Sequence, residues 1–172
     1  AVVPTPRIAR LETLWNDFDL NLKFKWKDSE ERMMSADHLI AKLNEALGWE
    51  LRAINMYAHY AAYIRGIHRL QLEPHFTAEA NESMVHSNIV RSAIVKLGGV
   101  AVTERNQTPI EHVSSYVDML AESLKTETKA AEVYGDLMVM IEEAGDAELL
   151  DAIEQIYLAE VRSVEELRRL AE

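Results

Sequence analysis

Three glutamates and a histidine interrupt otherwise apolar stripes in this sequence. Read in steps of three and four, one segment presents Ile40, Leu43, Leu47, Glu50, Ile54, Tyr57, Ala61 and Ile64. A second presents Val113, Val117, Leu120, Leu124, Glu127, Ala131, Tyr134, Met138 and Ile141, and a third Leu149, Ile153, Ile156, Glu160, Val164 and Leu167. Each stripe has helical period, and in each the Glu falls near the midpoint. A less regular segment reads Phe76, Glu79, Ser83, His86, Val90, Ala93 and Leu97, with His86 near its middle. The midpoints of packed helices share one level, so three carboxylates and an imidazole are expected to converge in an apolar core. One Glu in such a stripe is ordinarily a boundary residue whose head reaches water; the coincidence of all four points to an internal polar site. Isolated buried carboxylates cost several kcal/mol each, so shared protons, partner cations or a bound metal must compensate. Carboxylate oxygens with one imidazole suit iron or manganese. The chain has no Cys, so a thiolate site is excluded.

Four long helices are needed to position these residues. The first is expected from the N-cap Ser35 to Gly66, the second from Pro74 to Leu97, ending at Gly98-Gly99. The third is expected to open at Thr108-Pro109-Ile110-Glu111, an N-cap followed by Pro and a capping-box Glu, and to end near Gly145. The fourth starts at Asp146. Short turns near residues 67–73 and at Gly145 make the helices they join antiparallel neighbours. Residues 98–108, fully extended, reach about 36 Å, the length of a helix of about 24 residues. That link can return along the bundle and leave helices two and three parallel. The fold class is therefore all-α, a four-helix bundle of ferritin-like type with one long crossover, over residues 35–172. Residues 1–34 form an N-terminal arm. Pro4 and Pro6 keep its start extended, and Leu22, Phe24 and Trp26 alternate with lysines in a strand-like run.

Composition agrees with this architecture. The chain has 172 residues, 48% of them apolar, with only six Gly and four Pro, which suits one domain of long helices. The formal net charge of −11 argues against nucleic acid as a partner and favours cations. No apolar run has the length of a membrane span, and no leader peptide is visible, so the expected location is the cytoplasm.

The run Leu47-Gly48-Trp49-Glu50-Leu51-Arg52-Ala53-Ile54-Asn55-Met56-Tyr57 resembles the first-helix motif of bacterioferritins, and Ser83-Met84-Val85-His86 resembles their second-helix Glu-Met-x-His. The segments around Glu127 and Glu160 resemble the third- and fourth-helix ligand segments of that family. The resemblance implies a di-iron ferroxidase site, built from one Glu on each of two helices and a Glu-x-x-His on each of the others. Carried over by position, Glu50, His86, Glu127 and Glu160 match. Ser83 stands where the family has its bridging Glu, and Ser163 where it has the second His. Glu79 and Glu82 lie near Ser83, and Glu82 can meet His86 at i, i+4. Both are therefore candidate metal ligands in place of Ser83, with a position facing solvent or the family's outer site as the alternative. The family also implies haem b at a two-fold dimer interface, held by one Met from each chain. Met84 is the matching residue, with Leu51, Ile54 and Asn55 lining the pocket. The family's short fifth helix has no counterpart before Glu172, so a homodimer through helices one and two is expected and a standard 24-subunit shell is not.

Three readings follow. The leading one is iron binding, oxidation and storage with a degenerate di-iron site. The second is a non-catalytic haem-binding subunit that pairs with a ferroxidase-competent partner. The third is a divergent di-metal oxidase. His38, His59, His68, His75 and His112 show no mutual spacing that suggests a site, and are expected at the surface or behind the ligands.

Overall fold

A computed structural model of the chain describes residues 29–171, with side chains from residue 36 onward. Four helices follow one another: α1, Ser29–Tyr63; α2, Arg69–Lys96; α3, Tyr116–Ala144; and α4, Ala147–Leu170. The described residues contain no strand. The strand-like run Leu22, Phe24 and Trp26 lies outside them. No described helix is long and apolar enough to cross a membrane.

Two apolar clusters record the topology. One joins Leu39, Leu43 and Leu47 of α1 to Val90 and Ile94 of α2, Val133, Leu137 and Ile141 of α3, and Leu149, Ile153 and Ile156 of α4. The other joins Met56, Tyr57, Tyr60 and Ile64 of α1 to Leu72 and Phe76 of α2, Met119 and Leu120 of α3, and Leu167 of α4. The beginning of α1 thus lies beside the end of α2, the end of α3 and the beginning of α4. So α1 and α2 are antiparallel, α2 and α3 parallel, and α3 and α4 antiparallel, as the loop lengths predict. Glu50, His86, Glu127 and Glu160 fall between the two clusters in each helix, forming a polar waist.

The helix starts differ from expectation in three places, and two have a visible cause. Helix α1 begins at Ser29 rather than Ser35, and nothing among the described contacts explains the extra turns. Helix α2 begins at Arg69, so Pro74 lies inside it. The Arg69 guanidinium donates to the carbonyls of Ala61 and Ile64 at the end of α1. These carbonyls have no intrahelical partner, and the contacts anchor the early start. Helix α3 begins at Tyr116, not Thr108. The carbonyls of Thr108 and Pro109 accept from the Arg52 guanidinium at 3.1 and 2.7 Å, and that of Glu111 accepts from the Tyr60 hydroxyl at 3.0 Å. Donors on α1 therefore occupy the capping-box segment and hold it off the helical path.

The crossover climbs α1 on residues four apart. Asn44 donates to Val100 O and accepts from Val102 N, Gly48 O accepts from Asn106 N at 2.8 Å, and Arg52 takes the next rung. A Cβ on Gly48 would sit 3.4 Å from Asn106 N. At the start of the crossover a Cβ on Gly99 would lie 2.7 Å from the Ile40 side chain, so only glycine lets the chain pass there. The turn between α3 and α4 agrees with the expected Gly145 and Asp146: Gly145 adopts φ 74°, and the Asp146 carboxylate accepts from Leu149 N.

Candidate metal centre at the bundle waist

The expected quartet meets at the waist. Glu50, His86, Glu127 and Glu160 are all buried, none more than 7% exposed. His86 Nδ1 lies 2.9 Å from Glu160 Oε1 and 3.4 Å from Glu50 Oε1. One donor atom from each of these three residues falls within 4.8 Å of the other two. His86 Nδ1 lies within ion-pair reach of both carboxylates, although neither contact has full hydrogen-bond geometry. Donor atoms gathered this closely from three helices are arranged as ligands are around an ion. With oxygen and imidazole donors only, the set fits iron or a similar divalent transition metal.

Two tyrosines on the inward stripes brace the carboxylates. Tyr134 donates to Glu50 Oε1 at 2.5 Å and Tyr57 to Glu127 Oε1 at 2.6 Å. Burial, and then the charge of the neighbouring glutamates, pushes both phenols well above their ordinary range, so they remain donors. Such contacts fix the orientation of ligand carboxylates.

The charge balance shows the strain of the metal-free site. Burial pushes the Glu50, Glu127 and Glu160 carboxyls above their usual range. Glu127 is raised further by the charge of Glu160. Burial pulls the His86 imidazole down, but the carboxylates of Glu160 and Glu50 outweigh it and lift the ring to about 10. Without metal the site is thus held by protons: an imidazolium among carboxyls of raised pKa.

The two glutamates that are candidate replacements for Ser83 lie in different settings. Glu82 is toward solvent, with its side chain 44% exposed and Oε1 3.9 Å from His86 Nε2. Glu79 is turned inward. Its side chain is only 15% exposed. Its Oε2 accepts from Ser163 Oγ at 3.0 Å, and burial, then the Glu127 charge, lifts its carboxyl to about 7. The sequence held a clue: Glu79 lies on the α2 stripe two turns before His86. Ser83 is buried at the level of the site.

The remaining histidines are exposed or half-buried, and two of them form a pair that spacing did not indicate. His75 sits beside Glu79, Nδ1 to Oε1 3.9 Å, and its Nε2 is buried with no hydrogen-bond partner. His59 Nε2 and His112 Nδ1 meet at 3.0 Å, with Tyr63 against both rings. Spacing could not reveal this pair, because the crossover brings His112 back to α1. His68 stacks on Tyr116. On the outer face Met84 is 47% exposed, Asn55 is exposed, and Leu51 and Ile54 are half-buried.

Residues 40–172 match the family model of the ferritin-like domain. The chain belongs to the ferritin-like family. Among solved structures it resembles ferritin-like, diiron-carboxylate proteins of Bacillus anthracis str. Ames, with 29% identity and a TM-score of 0.77 over 80% of this chain and 98% of that one. It also shares the fold of a dodecameric thioferritin, the bacterioferritin-related protein from Bacteroides fragilis, with 22% identity and a TM-score of 0.71 over 78% of this chain and 84% of that one. No curated protein sequence matches it significantly. The comparisons agree with the all-α ferritin-like fold read from the sequence.

Proposed function

We propose that this ferritin-like chain binds iron at the waist of its bundle and serves in iron oxidation and storage, with a ligand set that departs from the family pattern. The observation that carries the reading is the convergence of Glu50, His86 and Glu160 on one buried point. The likeness to diiron-carboxylate proteins supports iron over other divalent ions. Glu50, His86 and Glu160 hold the ion, while Tyr134 orients Glu50 and Tyr57 orients Glu127. Fe(II) is the substrate, and the chemistry it brings is electron transfer to oxygen. The protein supplies binding and placement. As the ion enters, the His86 proton and those of the raised carboxyls must leave, because ligation needs the deprotonated forms.

The test is to mix metal-free protein with Fe(II) in air. Oxidation faster than in buffer, with iron retained on the protein, supports the reading. Oxidation at the buffer rate with no metal retained overturns it.

Exposed Met84 supports a second reading, in which two copies pair through α1 and α2 and hold haem b between their Met84 sulfurs. Val85 and Ile89, also exposed on α2, add apolar surface to such a contact. Adding haem should then give a Soret band that Met84→Leu abolishes, on a particle of dimeric mass. A protein that stays colourless removes this reading and leaves the first intact.

A further inference from the structure

One pair of imidazoles lies outside the waist and takes no part in the proposed iron chemistry. His59 follows Glu50 by nine residues on α1, about 13 Å along the helix and half a turn around it, so it faces away from the donor cluster. His112 comes from the crossover, 53 residues further on. Their nitrogens, His59 Nε2 and His112 Nδ1, meet at 3.0 Å. Tyr63, one turn after His59, packs against both rings, with centroids 4.5 and 4.8 Å away. Tyr60 secures the surroundings: its ring lies 5.9 Å from that of His59, and its hydroxyl donates to Glu111 O, next to His112. The two rings are thus held together by what packs around them.

Two neutral imidazoles at this distance can share one proton, one nitrogen donating and the other accepting. The same distance suits an ion. Imidazole–metal bonds are about 2.0–2.1 Å long, as for zinc, and two of them at a right angle put their nitrogens about 2.9 Å apart. A tetrahedral angle would need about 3.4 Å. Right-angled positions belong to square-planar and tetragonal ions, which with nitrogen and oxygen donors are Cu(II) or Ni(II). Among the described residues no third His, Asp or Glu donor joins the pair. Water must fill the other positions, as the exposure of His112 permits. The net charge of −11 favours the approach of cations. The waist offers two carboxylates and one imidazole, whereas this pair offers imidazole alone, so the two places differ in the ions they prefer.

We propose that His59 and His112 form a surface site for Cu(II) or a similar late divalent transition ion, separate from the waist, and that the bound ion staples the crossover to α1. The proposal does not depend on the iron-binding reading.

The experiment titrates the full chain with Cu(II) and reads the bound copper by electron paramagnetic resonance, in which each coordinated imidazole nitrogen splits the signal. The expected signal is that of two nitrogens on one copper. It should survive in His86→Ala, which removes the imidazole of the waist. It should be lost in His59→Gln and in His112→Gln, each of which keeps only one ring of the pair. Cu(II) should also raise the melting temperature of the unaltered chain more than that of these two variants. His112 is exposed, so His112→Gln should fold normally, and far-UV circular dichroism checks all three variants. A signal of one nitrogen or none in the unaltered chain overturns the site and leaves the two rings as a hydrogen-bonded pair. A two-nitrogen signal that persists in both histidine variants, or that only His86→Ala abolishes, overturns the assignment to His59 and His112. Each of these results leaves the iron-binding reading standing.

Discussion

Two buried charged groups on neighbouring helices are treated in opposite ways. Arg52 on α1 is 3% exposed, and its guanidinium donates to Thr108 O, Pro109 O, Thr126 Oγ1 and the Met56 sulfur. His86 on α2 is 7% exposed, and its Nδ1 touches no backbone, only the carboxylates of Glu160 at 2.9 Å and Glu50 at 3.4 Å, without full hydrogen-bond geometry. Buried polar groups in folded proteins are nearly always satisfied. Arg52 explains itself through the backbone it holds. His86 faces only carboxylates, donors that a metal ion could gather in place of a proton.

The largest expected effect separates the two by metal affinity. His86→Ala removes a ligand and should weaken cobalt or iron binding roughly a thousandfold, about 4 kcal/mol. Arg52→Ala should leave affinity within about threefold, because its contacts reach the crossover and α3 rather than the donor cluster. Equilibrium binding to both variants measures the contrast, and equal losses would mean that the two groups are not different in kind.

Stability should show the reverse order. Arg52→Ala strips donors from two crossover carbonyls and from Thr126, a loss of about 3 kcal/mol. For a chain of this size that lowers the melting temperature by roughly 6–12 °C. The metal-free His86→Ala protein should fall by less, since the neighbouring carboxyls can keep their protons when the imidazolium is gone. An Arg52 variant that melts with the unaltered protein would show that the crossover does not depend on this clamp.

The contrast between Arg52 and His86 also marks what could be read from sequence. The waist was legible because Glu50, Glu127 and Glu160 each break a regular apolar stripe, and periodicity reports departures from itself. The loop lengths gave the parallel pairing of α2 and α3. The Arg52 clamp was invisible, because its partners are backbone carbonyls far along the chain. For the same reason Thr108-Pro109-Ile110-Glu111 reads as a helix start although Arg52 and Tyr60 hold it extended. Glu79 and Glu82 could not be ranked as replacements for Ser83 because α2 has the least regular pattern, and only the contact from Ser163 shows which of them turns inward. The meeting of His59 with His112 likewise depends on the path of the crossover, which no local pattern encodes.

A smaller effect tests the bracing of the site. Tyr134→Phe removes the donor to Glu50, and Tyr57→Phe the donor to Glu127. Each should weaken metal binding by about tenfold, the lower range for a group that orients a ligand. Tyr134→Phe should have the larger effect, because Glu50 is in the three-residue cluster and Glu127 is not. Cobalt titrations in which neither variant changes the affinity would show that the phenols do not orient the site.

The smallest effect is a slope with pH, and its sign follows from the protons that hold the metal-free waist. The Glu79 carboxyl is lifted from 4.5 to about 7 by folding, so the folded state binds the proton more tightly than the unfolded one. Its contribution is fully present below pH 4.5 and is lost as pH rises through 7. The His86 ring is lifted from 6.5 to about 10, so its contribution is present below pH 6.5 and is lost as pH rises through 10. Both act in the same direction, and the metal-free protein should become less stable from pH 5 to pH 10. One proton contributes at most about 1.4 kcal/mol per pH unit. Metal replaces these protons, so the stabilisation by added metal should grow over the same range. Glu79→Gln should flatten the metal-free curve between pH 4.5 and 7 and leave the higher part, which belongs to His86, unchanged. Denaturant unfolding across this range, in chelator and then in excess metal, measures both slopes. A metal-free protein that gains stability with rising pH would mean that the waist is not held by protons, and His86 would no longer stand apart from Arg52.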